Sequence, residues 1–179
     1  MPNCDDVRRE LESKGLLLLQ DKRMASVAAI IAGETISGSW WSHARGREIW
    51  ACSESLEKDA LVTRLIDGKV TYVHPRLWPA FYGVATSGAP WQTAGLSAAA
   101  RALLKKVPCM AKGPVARELQ QRLLVHAEEV HTTSGRHETR LSSWPTFAAA
   151  LPPDLARGEL EKAAIAIGAK VEMLPWRQR

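Results

Sequence analysis

Between Leu61 and His74 the chain reads Leu-Val-Thr-Arg-Leu-Ile, Asp-Gly, Lys-Val-Thr-Tyr-Val-His, two runs of strand-forming residues joined by a dipeptide. Asp67-Gly68 suits a two-residue type I′ turn, because both turn positions need positive φ and only Gly, Asn and Asp accept it cheaply. That turn predicts the pairs Ile66 with Lys69, Leu65 with Val70, Arg64 with Thr71 and Thr63 with Tyr72. One face then carries Leu61, Leu65, Val70 and Tyr72, while Arg64, Lys69 and Thr71 stand beside the turn on the other.

Three helical segments precede this hairpin. Asn3 can cap the first, with Asp5 and Asp6 in its opening turn, Val7 and Leu11 on one face and Gly15 as its stop. Leu16 to Leu19 is short and wholly apolar, a buried strand or an extended connector. Met24, Val27, Ile30 and Ile31 recur at helical spacing up to Gly33, and a third helix is predicted from Ser42 to about Lys58, with Ile49, Cys52 or Ser53, and Leu56 inward. Helix, helix, helix, hairpin is the order of a winged helix, and an apolar root with a basic tip resembles its wing. The eight residues Glu34 to Trp41, ETISGSWW, are long for the tight turn of a helix-turn-helix, so the unit is irregular.

Beyond the hairpin the pattern predicts helices throughout: Arg76 to about Ala85, Ala98 to Val107 after the cap Ser97, and a long one from Pro114 to about His131 with Ser134-Gly135 following its end. A short helix around Trp144 to Ala150, the breaker Pro152-Pro153 and a helix from Asp154 to Gly168 complete the run, with Lys170 to Leu174 as a terminal strand. The expected fold is therefore α+β and mainly α: an irregular winged-helix-like unit over residues 1–75, and a helical lobe over 76–179 packed on it as one compact domain.

The length of 179 residues and 46% hydrophobic content suffice for a proper core. Cys4, Cys52 and Cys109 are widely separated and form no CxxC pair, which argues against a disulfide framework and for a reducing compartment, with the cytoplasm as the expected location. The N-terminal residues are charged with no apolar stretch behind them, and Leu16 to Leu19 is too short to span or target a membrane, so no membrane partner is expected.

Net charge is +5, and its distribution says more than its size. Residues 59 to 110 hold six Lys/Arg against two Asp/Glu, whereas the other segments are near balance. A basic excess on one segment is the footprint of a phosphate-binding surface. An ordinary, slightly basic surface is the plain alternative. Seven Trp against two Phe and two Tyr is an unusual aromatic choice. Trp40 and Trp41 are adjacent, so they point in different directions, and they precede His43, Arg45 and Arg47. A partly exposed Trp beside those cations can stack on a base, whereas a buried pair would close the edge of the core.

The stretch LLVHAEEVH, followed by TTSGRHE, is the one constellation with a chemical look. On a helix, His126 would share an apolar stripe with Val115, Leu119, Leu123 and Val130, with Glu129 at its edge and His131, His137 and Glu138 near the helix end. A Glu129–His126 or Glu128–His131 pair at i,i+3 suits general acid/base work; a satisfied core histidine and polar helix-end residues are the structural alternative. Metal binding is disfavoured, because His126 and His131 are five apart and point about 140° from each other on a helix. No phosphate loop or nucleophile motif is present, and no cofactor is expected.

SWWSHARGREIW, GKVTYVHPRLWPA and LLVHAEEVH together resemble a group of small bacterial proteins with a winged-helix-like core, over roughly residues 16 to 145. That resemblance implies a fold and no established activity. The leading expectation is nucleic-acid binding, duplex DNA above all, with Arg45, Arg47, Arg64, Lys69 and Arg76 on phosphates, His43 and Thr71 beside them, and Trp40 or Trp41 stacking. One alternative is an enzyme of glycosylase or hydrolase type acting on nucleic acid or nucleotide, with His126, Glu129, His131 and His137 around a pocket. The other is a protein-interaction module.

Overall fold

The computed structural model describes residues 1–131 and 137–178, and of His131 and His137 the backbone alone. The fold is mixed α/β and mainly helical, with two small three-stranded antiparallel sheets among the described residues. No helix among them is long and apolar enough to cross a membrane.

The first helix, α1 (Cys4–Lys14), is stopped at both ends by the residues the sequence marked. Asn3 Oδ1 accepts from the backbone N–H of Asp5 at 2.9 Å and of Asp6 at 3.2 Å, while Asp6 reaches back to the N–H of Asn3 at 2.8 Å. Gly15, at φ 82°, donates to the Leu11 carbonyl at 2.7 Å in the left-handed conformation that ends a helix. Strand β1 (Leu16–Leu18) follows and is fully buried, which accounts for its uninterrupted leucines. Helix α2 (Val27–Ala32) is capped by Ser26 and stopped at Gly33. The ETISGSWW segment then ends in a 3₁₀ turn, Trp40–Ser42, before α3 (Gly46–Leu56) buries Ile49, Cys52, Ser53 and Leu56.

The hairpin is formed by β2 (Leu61–Ile66) and β3 (Lys69–Val73), with β3 in the middle of a sheet ordered β1-β3-β2. Asp67 and Gly68 both have positive φ, 49° and 66°, as the type I′ turn requires. Ile66 faces Lys69 as expected, but a bulge between Thr63 and Ile66 shifts the rest by one, so that Thr63 faces Thr71 and Val62 faces Tyr72. An extra residue on one strand rotates everything beyond it to the other face. Thr71, on the middle strand between β1 and β2, is fully buried rather than beside the turn on an open face.

The second half departs further from its predicted pattern. After a 3₁₀ turn at Pro75–Leu77 come α4 (Trp78–Ala85), α5 (Pro90–Thr93) and α6 (Ala98–Leu104). The short strand β4 (Cys109–Met110) leads to α7 (Pro114–Gln121), which ends ten residues before the predicted His131. Leu123 takes φ 51°, and the chain continues as β5 (His126–His131), paired in register with β6 (His137–Ser142). A helical stripe and a two-residue alternation coincide over so short a run, and the pairing partner decides between them. Residues 144–150 form no helix, and Val171–Met173 is a 3₁₀ turn in place of the predicted strand. The expected Ser134-Gly135 stop lies outside the described residues.

Helix α8 (Pro153–Ala166) and Leu151 just ahead of its start pack closely on α4: a Cβ placed on Gly83 would lie 3.0 Å from the Ala156 Cβ and 2.2 Å from the Leu151 carbonyl oxygen. The main core runs from α1 through the β1-β3-β2 sheet to α4 and α8. A second, smaller core of Leu96, Ala100, Ala116, Leu119, Val125 and Leu141 seats α6 and α7 on the β4-β6-β5 sheet.

Two long-range connections bear on the site. Cys4 and Cys52 are joined by a disulfide between α1 and α3 with Cα atoms 5.4 Å apart, against the expectation of free thiols; spacing along the sequence says nothing about residues that the fold brings together. The hairpin tip, moreover, is held by remote residues, although Asp67 itself stays exposed. The Asp67 N–H donates to the Met173 carbonyl at 2.8 Å, and a Cβ on Gly68 would sit 2.3 Å from the Gln121 amide nitrogen.

Candidate nucleic-acid interface

The cations expected to meet phosphate are mostly engaged inside the molecule. Arg64 donates to Gln120 Oε1 at 3.1 Å and to the Gly68 carbonyl at 3.0 Å. Lys69 Nζ reaches Asp21 Oδ2 at 2.5 Å. Burial disfavours the Asp21 carboxylate, but Lys69 and the backbone N–H groups of Arg23 and Met24 outweigh it and hold the group below the usual carboxylate range. Arg76 donates to the carbonyls of Glu12 at 2.9 Å and Ser13 at 3.0 Å, so it satisfies the open end of α1.

The start of α3 divides in the same manner. Arg45 bonds the Ile31 carbonyl at the end of α2, the Pro2 carbonyl at 2.9 Å and the Glu48 carboxylate. His43 accepts the Arg45 N–H on Nδ1 at 3.1 Å and meets Glu34 Oε1 through Nε2 at 3.1 Å. Trp40 is 9% exposed and packs on the core, whereas Trp41, stacked on it with ring centroids 4.2 Å apart, is 62% exposed. Arg47 is exposed and makes no hydrogen bond or ion pair among the described residues.

Trp50 completes this surface and was not singled out from the sequence. It lies three residues after Arg47 on the outer face of α3 and is 45% exposed. The signal was available: with Ile49, Cys52 and Leu56 inward, helical geometry turns Arg47, Trp50 and Glu54 outward. The far end of α3 is acidic. Desolvation, reinforced by the charges of Glu129 and Glu54, pushes the Glu57 carboxyl above its ordinary value. The helix therefore presents a cationic, aromatic beginning and an acidic end.

The histidine constellation takes a different form on a strand. Alternation sets His126 and Glu128 on one face of β5 and Glu129 on the other, so the i,i+3 pairing of His126 with Glu129 does not exist. Glu128 is held by Arg140 across the strand pair at 2.6 Å. The His126 ring lies against Trp144 with centroids 5.1 Å apart and has no hydrogen bond among the described residues. Burial pushes its imidazole below the ordinary range; the Glu128 charge opposes this and Arg140 adds to it. The His131 and His137 backbones face each other across β5 and β6, and their side chains lie outside the described residues. Among the described residues no group of three or more His, Cys, Asp or Glu side chains can hold a metal ion.

A further cationic group lies at the end of α6, where Arg101 in the helix and Lys105 and Lys106 just beyond it are all exposed and free of ion pairs among the described residues. They are half of the six cations that make residues 59–110 basic; Arg64 and Lys69 in the hairpin and Arg76 just after it are the other half. Comparison of the chain with protein-family models, with curated proteins and with solved structures gives no match in any of the three.

Proposed function

We propose that this chain binds nucleic acid, duplex DNA foremost, through the outer face of α3. The order α1-β1-α2-α3-β2-β3 with a β1-β3-β2 sheet supports reading residues 3–75 as an irregular winged helix, in which α3 takes the place of the helix that enters the major groove. The observation that carries the proposal is the exposed Arg47, without an ion pair among the described residues, three residues before Trp50 at the start of α3, with Trp41 in the 3₁₀ turn that precedes the helix. In helix-turn-helix docking the N-terminal residues of that helix meet the base edges, and here they are the cationic and aromatic ones. Arg64, Lys69 and Arg76 act as structural residues in this reading, because each is committed to a partner inside the molecule.

Fluorescence anisotropy of a labelled mixed-sequence duplex, titrated with protein at several salt concentrations, tests the proposal. Binding should weaken steeply with salt. Arg47→Ala and Trp50→Ala should each weaken it by about 1–3 kcal/mol, whereas Arg64→Ala should change it little. Absent or salt-independent binding, or equal affinity of the α3 variants and the parent, would overturn it.

A further inference from the structure

The geometry points to a second phosphodiester-binding surface at the C-terminal end of α6, formed by Arg101 in the helix and Lys105 and Lys106 just beyond it. It rests on the reading of the chain as a nucleic-acid binder and extends that interface to an element outside the winged-helix unit.

All three side chains are exposed and border one shallow hollow of about 600 Å³, with Thr93, Leu96 and Leu104 also in its wall. Among the described residues, no carboxylate lines that hollow. The nearest acidic group by its effect is Glu118, whose carboxylate is held below the usual range by the Ser97 N–H and hydroxyl and, more weakly, by the charges of Arg122 and Arg101. Its oxygens are taken up by Ser97, at 2.8 Å to the N–H and 2.7 Å to the hydroxyl. Glu118 therefore fixes the start of α6 rather than neutralising its far end.

The platform is firm. Ser97 caps α6 with a 3.0 Å bond from the Ala100 N–H, and Leu96 and Ala100 sit in the second core against Ala116 and Leu119. Arg101 and Lys105 are four residues apart, a rise of about 6 Å along a helix, so one stretch of backbone can reach both. The hollow is open and carries three cations on its lining, which suits an extended polyanion better than a small phosphate. Its apolar wall can take the sugar face while the phosphates meet the rim. Phosphate contacts of this kind position a duplex and carry no sequence information.

Backbone amide NMR of the full chain, titrated with a short mixed-sequence duplex, tests this together with the salt dependence of affinity. The amides of residues 93–106 should shift saturably, and an Arg101→Ala, Lys105→Ala, Lys106→Ala variant should lose those shifts. The same variant should reduce the slope of log K against log salt by up to about 3, since each neutralised phosphate contributes about 0.9. Lys105→Arg with Lys106→Arg should retain both. Shifts confined to residues 40–54, with an unchanged slope in the triple variant, would overturn the α6 surface and leave the α3 reading intact. Shifts at 93–106 without any at 40–54 would do the reverse. Absence of shifts in both regions would end both.

Discussion

The disulfide between Cys4 and Cys52 should contribute more to stability than any one packing contact of α3. The two residues are 48 apart in sequence, and closing a loop of that size removes chain entropy from the unfolded state worth about 4 kcal/mol by the loop-closure relation. Measured values usually fall at about 2–4 kcal/mol, still a large part of the 5–15 kcal/mol typical of a folded domain. With a urea m-value of about 2 kcal/mol/M, the unfolding midpoint should drop by about 1–2 M when the bond is lost. Tryptophan fluorescence and far-UV circular dichroism in urea would follow the transition, for the parent and for Cys52→Ala, each with and without a phosphine reductant. Because Cys52 is buried, the variant also loses its Sγ packing, so the reductant arm isolates the bond itself. Reductant should lower the parent midpoint and leave the variant unchanged, and a thiol titration of the unreduced, unfolded parent should find Cys109 alone. Three titratable thiols would refute the bond; a bonded chain that loses less than about 1 kcal/mol on reduction would refute the loop-entropy reasoning.

The Asp21 pKa is lowered on folding, so its contribution to stability is full above the unfolded pKa and lost as pH falls through the folded one. Asp21→Asn should be less stable than the parent at neutral pH and should show a shallower loss in acid-unfolding curves below about pH 4. Gly83 on α4 and Gly158 on α8 should respond oppositely to alanine. A methyl at Gly83 collides with the Leu151 carbonyl, and a loss of several degrees in melting temperature is expected; Gly158 on α8 meets nothing within 4 Å, so Gly158→Ala should stabilise by about 0.5–1 kcal/mol. Arg76→Ala should destabilise by about 0.5–1.5 kcal/mol in chemical unfolding, because two carbonyls at the end of α1 lose their charged donor to water, and should leave duplex affinity unchanged.

Residues acting on immediate neighbours were legible in the sequence. Asn3, Gly15, Gly33 and the Asp67-Gly68 turn do their work within a few positions, and each ends or turns an element where its chemistry predicts. What was not legible depends on partners remote in sequence. The bulge in β2 shifts the register although the turn is right, and no local pattern announces it. His126 to His131 fits a helical stripe and an alternating strand alike, and the pairing with His137 to Ser142 resolves it. Arg64, Lys69 and Arg76 resemble phosphate ligands until Gln120, Asp21 and the end of α1 are brought beside them. Trp50 was within reach of helical geometry alone, and the cations of α6 within reach of the same count that drew attention to the hairpin.

The junction between Asp67 and Met173 bears on how the protein acquires its shape. The β2-β3 turn needs only adjacent residues and can close at once, but its outermost amide finds a partner only when a segment from the far side of the C-terminal half arrives. Contacts of such sequence separation are slow to form, because the intervening chain must first be organised. The hairpin is thus among the earliest structures able to appear and among the last to be completed. Until Met173 docks, the Asp67 N–H lacks its partner in the protein, so completion of the turn is tied to the arrival of the C-terminal segment.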